Sequence, residues 1–197
     1  MQTYNAVKLA HLLLLPHLKN CRCAVDATAG NGWDSLFLAA NTSNETIIYS
    51  FDIQKSALAK TQSLLREHNV SDKLRLIEDS HENMAIYIKE KLDIVMFNLG
   101  YLPGSDHGFT TQPATTIKSV TKSLELLNAG GFLTIIAYPG HPTGELEFIE
   151  IEKLLKSLST KFFAVNSWVP VNAAKRPPIL YIIEKVRSEL GESATSC

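Results

Sequence analysis

Val25-Asp26-Ala27-Thr28-Ala29-Gly30-Asn31-Gly32 is the stretch on which the reading of the fold turns. A short apolar run ends in an acid, and two glycines follow. Glycines at this spacing let a strand turn tightly into a helix and let backbone approach a ligand. The N-terminus of the next helix then offers free N–H groups to a carboxylate or phosphate. A dinucleotide fingerprint needs a third glycine three residues after the second, and Ser35 stands there instead. The acid precedes the glycines. A cationic ligand favours carboxylates nearby by Coulomb attraction, so Asp26 reads as a ligand-side acid. The plain alternative is a tight turn with no ligand.

Outward from this turn the chain alternates short β-branched runs with longer helical stretches. The pattern predicts an N-terminal amphipathic helix over about residues 3–19. Further helices are expected at 33–40, 55–68, 81–90, 113–127 and 145–158. Strands are expected at 24–26, 46–51, 74–77, 92–97, 132–138, 162–169 and 179–183, with Gly130-Gly131 closing the helix before the fifth strand. Alternation of this kind means a mostly parallel sheet with helices on both faces. The last two strands are joined by about ten residues, too few for a parallel crossover, so the final strand should run antiparallel. The expected fold is α/β, a seven-stranded mostly parallel sheet with its last strand reversed. This resembles the class I S-adenosylmethionine-dependent methyltransferases. One domain over residues 1–187 and a polar tail over 188–197 complete the expected organisation.

The chain has 197 residues, 45% apolar and 20% charged, which excludes a disordered polyelectrolyte. Its net charge is −1, so any nucleic-acid contact must be a local patch. Residues 1–25 carry Lys8, Lys19 and Arg22 and no acid, and residues 161–187 carry five cations against Glu184. Lys175 and Arg176 sit on the loop between the last two strands, where they could meet phosphate or simply be solvated. The run Leu12–Leu15 is too short for a membrane span, so no membrane partner is expected. Three cysteines, two of them at 21 and 23, read as reduced thiols in a cytoplasmic protein. They have no second ligand pair for zinc, so no metal is expected.

In an α/β sheet, ligands bind outside the carboxyl ends of the strands. Asp52 ends the second strand, 20 residues past Gly32, where an acid can accept from both ribose hydroxyls. Asp79, with Ser80 and His81, ends the third. It could accept from an adenine amino group or cap the helix that follows. Thr28, Gly30, Asn31, Asp34, Ile53 and Gly100 fall in the same crevice. The expected cofactor is S-adenosylmethionine. Asn98-Leu99-Gly100-Tyr101 follows the fourth strand and resembles the Asn-Pro-Pro-Tyr loop of amino-group methyltransferases, with Asn98 and Tyr101 at the same spacing. There the Asn side chain and a backbone carbonyl accept from the nitrogen, and the aromatic ring packs on the substrate. Asp106, His107 and His141 are candidates for taking a proton from a protonated amine, or are ordinary loop residues.

Taken together, Asp26–Gly32, Asn98–Gly104, Thr115-Thr116-Ile117, Tyr138–His141 and Pro177-Pro178 resemble the small tRNA methyltransferases called MnmM, or YtqB-like, once labelled rRNA methylases. The resemblance spans nearly the whole chain. It implies methyl transfer from S-adenosylmethionine to the amine of 5-aminomethyl-(2-thio)uridine at the wobble position, with the tRNA anticodon arm as partner and a homodimer as the assembly. Trp33 stands where the family often carries His, and Ser105 where it often carries Gly. Trp33 is thus open to packing beside the cofactor or stacking on a base. Two other readings remain beside this one: a methyltransferase of another RNA or a small amine, and a non-catalytic module that binds nucleotide or tRNA.

Overall fold

The structure, a computed structural model, describes residues 5–100, 111–140, 142–173 and 175–187. Helix α1 (Ala6–Leu18) starts where the Asn5 side chain accepts from the Lys8 N–H at 2.9 Å. It leads into β1 (Cys23–Asp26), α2 (Trp33–Asn41), β2 (Ile47–Asp52), α3 (Lys55–Glu67) and β3 (Leu74–Glu78). After β3 come a one-turn 3-10 segment and α4 (Met84–Tyr87), β4 (Leu92–Asn98), α5 (Pro113–Leu126) and β5 (Leu127–Ala137). Helix α6 (Pro142–Ser157), β6 (Phe163–Trp168) and β7 (Ile179–Lys185) close the fold.

The seven strands form one sheet in the order β3-β2-β1-β4-β5-β7-β6. β7 pairs antiparallel with both β5 and β6, and the other pairs are parallel. The expected architecture is therefore present, with the reversed strand inserted between the fifth and sixth. Strand alternation divides the core into two layers. Val25, Tyr49, Val95 and Leu133 face Met84 of α4, Val120 of α5 and Ile151 of α6. Ala24, Ile48, Ile94 and Met96 face Leu14 of α1, Leu38 of α2 and Leu65 of α3. A third cluster packs Ala6 and Ala10 of α1 on Ile136 and Leu180, with Tyr138 against it.

Two elements differ from the sequence expectation. The helix expected over 81–90 is a 3-10 turn and a single α turn. Ile88 leaves it in an extended conformation and fills the core at 2% exposure, so burial ends the helix early. The expected boundary at Gly130-Gly131 also moves. Leu127 is already extended and pairs with Leu92, and residues 128–131 form an irregularity before Phe132 pairs with Ile94. Gly130 takes φ 78°, and a Cβ on Gly131 would lie 2.9 Å from the Asn128 carbonyl. The Asp93 carboxylate holds this edge, accepting from Asn128 Nδ2 and from the N–H groups of Arg22 and Cys23.

The turn from β1 to α2 fixes the opposite edge, where ligands bind. Gly30 and Gly32 both have left-handed backbone, and Gly32 is the N-cap of α2. A Cβ on Gly32 would stand 2.9 Å from Thr61 Cα, on α3. Both φ and the close approach of α3 require glycine here. Gly32→Ala should therefore cost roughly 2–4 kcal/mol of stability, left-handed strain plus a backbone contact. A urea midpoint within error of the wild type would show that the turn relaxes freely.

Candidate active site

A cavity of about 980 Å³ opens at the carboxyl ends of β1, β2, β3, β4 and β5. Its size is that of a cofactor pocket with room for a second molecule. The β1–α2 turn contributes Thr28, Gly30, Asn31, Trp33 and Asp34. The ends of β2 and β3 contribute Asp52 and Ile53, then Asp79, Ser80 and His81. Asn98 and Gly100 line it after β4, and Arg176 from the β6–β7 loop reaches it from the far side. Tyr101, Asp106, His107 and His141 lie outside the described residues.

Asp26 is not at the surface of this cavity. It is fully buried beneath it, accepting from the Thr28 N–H at 3.1 Å and from Ser35 Oγ at 2.6 Å. Ser35 also contacts Ser50 Oγ on β2 at 2.9 Å. Burial, then the charge of Asp34, holds the Asp26 carboxyl well above the usual carboxylate range. Ser35, read from the sequence only as a missing glycine, is the partner that makes this acid tolerable. From this turn the acid that lines the cavity is Asp34, beside Asp52 and Asp79 from the neighbouring strands, and its Oδ1 lies 2.6 Å from His11 Nε2 of α1. The His11 ring stacks on Phe37 at 3.8 Å, so α1 grips the first turn of α2.

Asp52 accepts from the Gly30 N–H at 2.9 Å and the Gln54 N–H at 2.8 Å. Burial raises its carboxyl, and these N–H groups work against that rise. A carboxylate offers about four lone-pair positions, so these N–H groups leave room to accept from a hydroxyl of a sugar. Asp79 accepts from Ser80 N–H, Asn83 Nδ2 and Tyr87 Oη. The Asn83 and Tyr87 bonds hold its carboxyl below the ordinary value. It anchors the turn that follows β3 and lines the cavity, while the cap of that turn is Ser80, whose Oγ accepts from the Glu82 N–H at 3.3 Å.

His81 lines the cavity at 8% exposure, its ring edge-on to Phe97, and among the described residues its Nε2 has no hydrogen-bond partner. Burial pushes the imidazole down to about 4, against an opposing contact with the Ala27 backbone, so it is neutral near pH 7. A buried acceptor left open beside a cavity is a cost that a bound ligand removes. The unfilled acceptor, the paired acids and the N–H-rich turn together fit S-adenosylmethionine. Asp52 would hold the ribose, His81 and Asp79 the adenine edge, and Asp34 the methionine ammonium.

Beyond Asn98 the cavity continues between Tyr138, Thr111, Thr115 and Thr143. The sequence reading missed these as site residues, because only the pairing of β4 with β5 and the packing of α5 and α6 bring them there. Gly100 and Thr111 are clasped together. The Gly100 N–H donates to Thr111 Oγ1 at 3.0 Å, and the Thr111 N–H donates to the Gly100 carbonyl at 3.2 Å. Thr111 Oγ1 in turn donates to Glu147 of α6 at 2.9 Å, and Thr116 Oγ1 donates to the same carboxylate. Glu147 is 3% exposed.

Trp33 lines the cavity and is 63% exposed. Arg176 pairs with Glu145 of α6 and lies over the Phe148 ring. Lys175 is exposed and does not line the cavity. Lys185 drops out of the basic patch counted from sequence, since it is buried and donates to the Leu124 carbonyl. Among the described residues no group of three His, Cys, Asp or Glu side chains could hold a metal ion.

The raised carboxyl of Asp26 has a consequence for stability. Its ordinary value is near 3.8. The folded chain keeps the proton to higher pH than the unfolded chain, so this residue's contribution declines as pH rises above that value and through the folded one. Asp26→Asn keeps the shape and removes the titration. The variant should gain about 1–3 kcal/mol over the wild type at pH 8. The gap should close toward pH 4, as followed by thermal melts across pH. A gap that does not change with pH would show that Asp26 is ionised in both states at little cost.

Comparison with known proteins gives the chain's family. Residues 48–184 match the family described as Putative rRNA methylase. A structure from Clostridium thermocellum described as a putative rRNA-methylase is 40% identical, with 94% of this chain and 100% of that one covered at a TM-score of 0.90. A putative methyltransferase from Streptococcus mutans, crystallised in complex with SAH, is 36% identical, covering 93% and 99% at a TM-score of 0.85. An Arabidopsis thaliana chloroplastic protein named tRNA (mnm(5)s(2)U34)-methyltransferase is 27% identical over 190 residues, 91% of this chain and 69% of that protein. The chain belongs to the Putative rRNA methylase family, and its fold is that of the class I S-adenosylmethionine-dependent methyltransferases.

Proposed function

We propose that this methyltransferase methylates the primary amine of 5-aminomethyl-(2-thio)uridine at the tRNA wobble position, giving 5-methylaminomethyl-(2-thio)uridine. The observation that carries the reading is Asn98. Asn98 lines the cavity at the end of β4, one strand from the glycine turn. An amide oxygen there accepts an N–H from a neutral amine and turns the nitrogen lone pair toward the cofactor. The name of the Arabidopsis relative supports the substrate. Trp33 supports it too, as an exposed ring on which a base can stack. The reading carries with it a homodimer and a cytoplasmic location. Among the described residues no helix is long and apolar enough to cross a membrane.

When bound, S-adenosylmethionine supplies an electrophilic methyl, whose C–S bond breaks as the N–C bond forms, the sulfur keeping the electron pair and the nitrogen then losing a proton to solvent. The protein's work is positional. Asp34 of α2, Asp52 at the end of β2 and Asp79 after β3 would fix the cofactor, Asn98 would orient the amine, and the walls of the cavity would limit water around a charge that moves from sulfur to nitrogen. A protonated amine has no lone pair to offer, so the rate should rise with pH until the amine is neutral.

The decisive assay supplies radiolabelled S-adenosylmethionine with tRNA from cells lacking this activity, and with rRNA in parallel. Label should enter tRNA alone, and nuclease digestion should release the labelled 5-methylaminomethyl nucleoside. Label in rRNA, or equal transfer to tRNA without the aminomethyl group, would overturn the reading.

The basic loop gives a second measurement. Arg176 already has Glu145 as a partner, so its phosphate contact replaces an ion pair rather than a hydrated charge. Replacing Lys175 and Arg176 by Ala should raise the KM for tRNA and lower the slope of log affinity against log salt by about 1. An unchanged slope would place the phosphate contacts elsewhere, with Lys8, Lys19 and Arg22 the next group to test.

A further inference from the structure

Asn98 has a pseudosymmetric side chain. Rotated by 180°, it presents an NH₂ group in place of the oxygen, and a donor there repels an amine it should hold. Something must set the sense of the amide, and Tyr138 is placed to do so. Its hydroxyl donates to Asn98 Oδ1 at 2.9 Å. A phenol is a stronger donor than acceptor, because the ring withdraws electron density from its oxygen, so it selects the carbonyl side of the amide. One lone pair of Oδ1 takes the phenol proton, and the other is left to the cavity.

The fold supports this contact from three sides. Asn98 is in register with Ile136 across β4 and β5, so Tyr138, two residues on, points from the same face of the sheet. Tyr138 packs against the cluster of Ala6 and Ala10 of α1 with Ile136 and Leu180 of the sheet. Its other side lies along residue 100, where a Cβ would stand 3.6 Å from Tyr138 Cδ2, and Gly100 has φ 114°. Burial, then the charge of Asp34, raises the phenol above its ordinary value. The proton that makes the bond therefore stays in place through neutral pH.

We propose that Tyr138 is a positioning residue for methyl transfer, fixing the side-chain amide of Asn98 with its oxygen toward the amine. The role rests on the amine reading above and names a residue that reading does not require. It assigns Tyr138 no part as a base, since a phenol held protonated cannot take the amine's proton.

The test is single-turnover methylation of aminomethyl-bearing tRNA, with enzyme in excess, by wild type, Tyr138→Phe, Asn98→Ala and the double variant. Phe keeps the ring and its packing, and calorimetric binding of S-adenosylmethionine reports whether each variant is folded. Tyr138→Phe should slow transfer by about 10-fold or more while the KM for tRNA and the cofactor affinity stay within about 2-fold. Its rate should rise with pH over the same range as the wild type's. In the Asn98→Ala background, removing the hydroxyl should change the rate by less than about 2-fold, because the amide it orients is gone. A structural role would instead show equal losses in both backgrounds, or a loss of cofactor affinity matching the loss of rate, and either result overturns the proposal. A wild type that transfers no methyl to the amine overturns the function itself. An active wild type matched by Tyr138→Phe overturns this role alone.

Discussion

A carboxylate without exposed surface, Asp26, sits at the junction on which the catalytic edge is built. It receives the Thr28 N–H and the Ser35 hydroxyl, and Ser35 reaches Ser50 on the neighbouring strand. Strand β1, the glycine turn, helix α2 and strand β2 are thus tied at one point. Taking a carboxylate out of water is expensive, and two hydrogen bonds only partly offset it. What the fold gains is a turn with one geometry, in which Gly30 meets Asp52 and the N-terminus of α2 faces the cavity. Stability is lower here than an apolar junction would give, a common pattern where a site is held in a set shape.

The architecture was legible in the sequence because its signals are local. Glycine spacing, β-branched runs and a short final connection each report on a few neighbouring residues. Asp52 and Asp79 were legible for the same reason, since each stands where a strand of the parallel sheet runs out at the crevice. What escaped depends on distant partners. Asp26 reads as a ligand-side acid until Ser35 and Ser50 are seen to close over it. Tyr138 gains its meaning from the register of β4 against β5, and Glu147 from the packing of α6 on α5. The helix expected over 81–90 failed on a tertiary ground: Ile88 is worth more in the core than as a helical residue. Lys185 was counted as surface charge, although its stem and ammonium are buried against Phe163 and a backbone carbonyl.

Helix α1 bears on the site in two places although it contributes no residue to the cavity wall. His11 holds Asp34, and Ala6 and Ala10 belong to the cluster on which Tyr138 packs. One helix therefore spans the cofactor half and the substrate half. Its buried stripe, Ala6, Ala10, Leu14 and Leu18, keeps strict four-residue spacing, which holds both contacts in register with the sheet.

The paired hydrogen bonds between Gly100 and Thr111, backed by buried Glu147, have a mechanical consequence. Glu147 belongs to α6 and also accepts from Thr116 of α5, so one carboxylate ties the end of β4 to two helices. A shift of either helix is then transmitted to the cavity edge beside Asn98, and the two helices act on the site as a single lever.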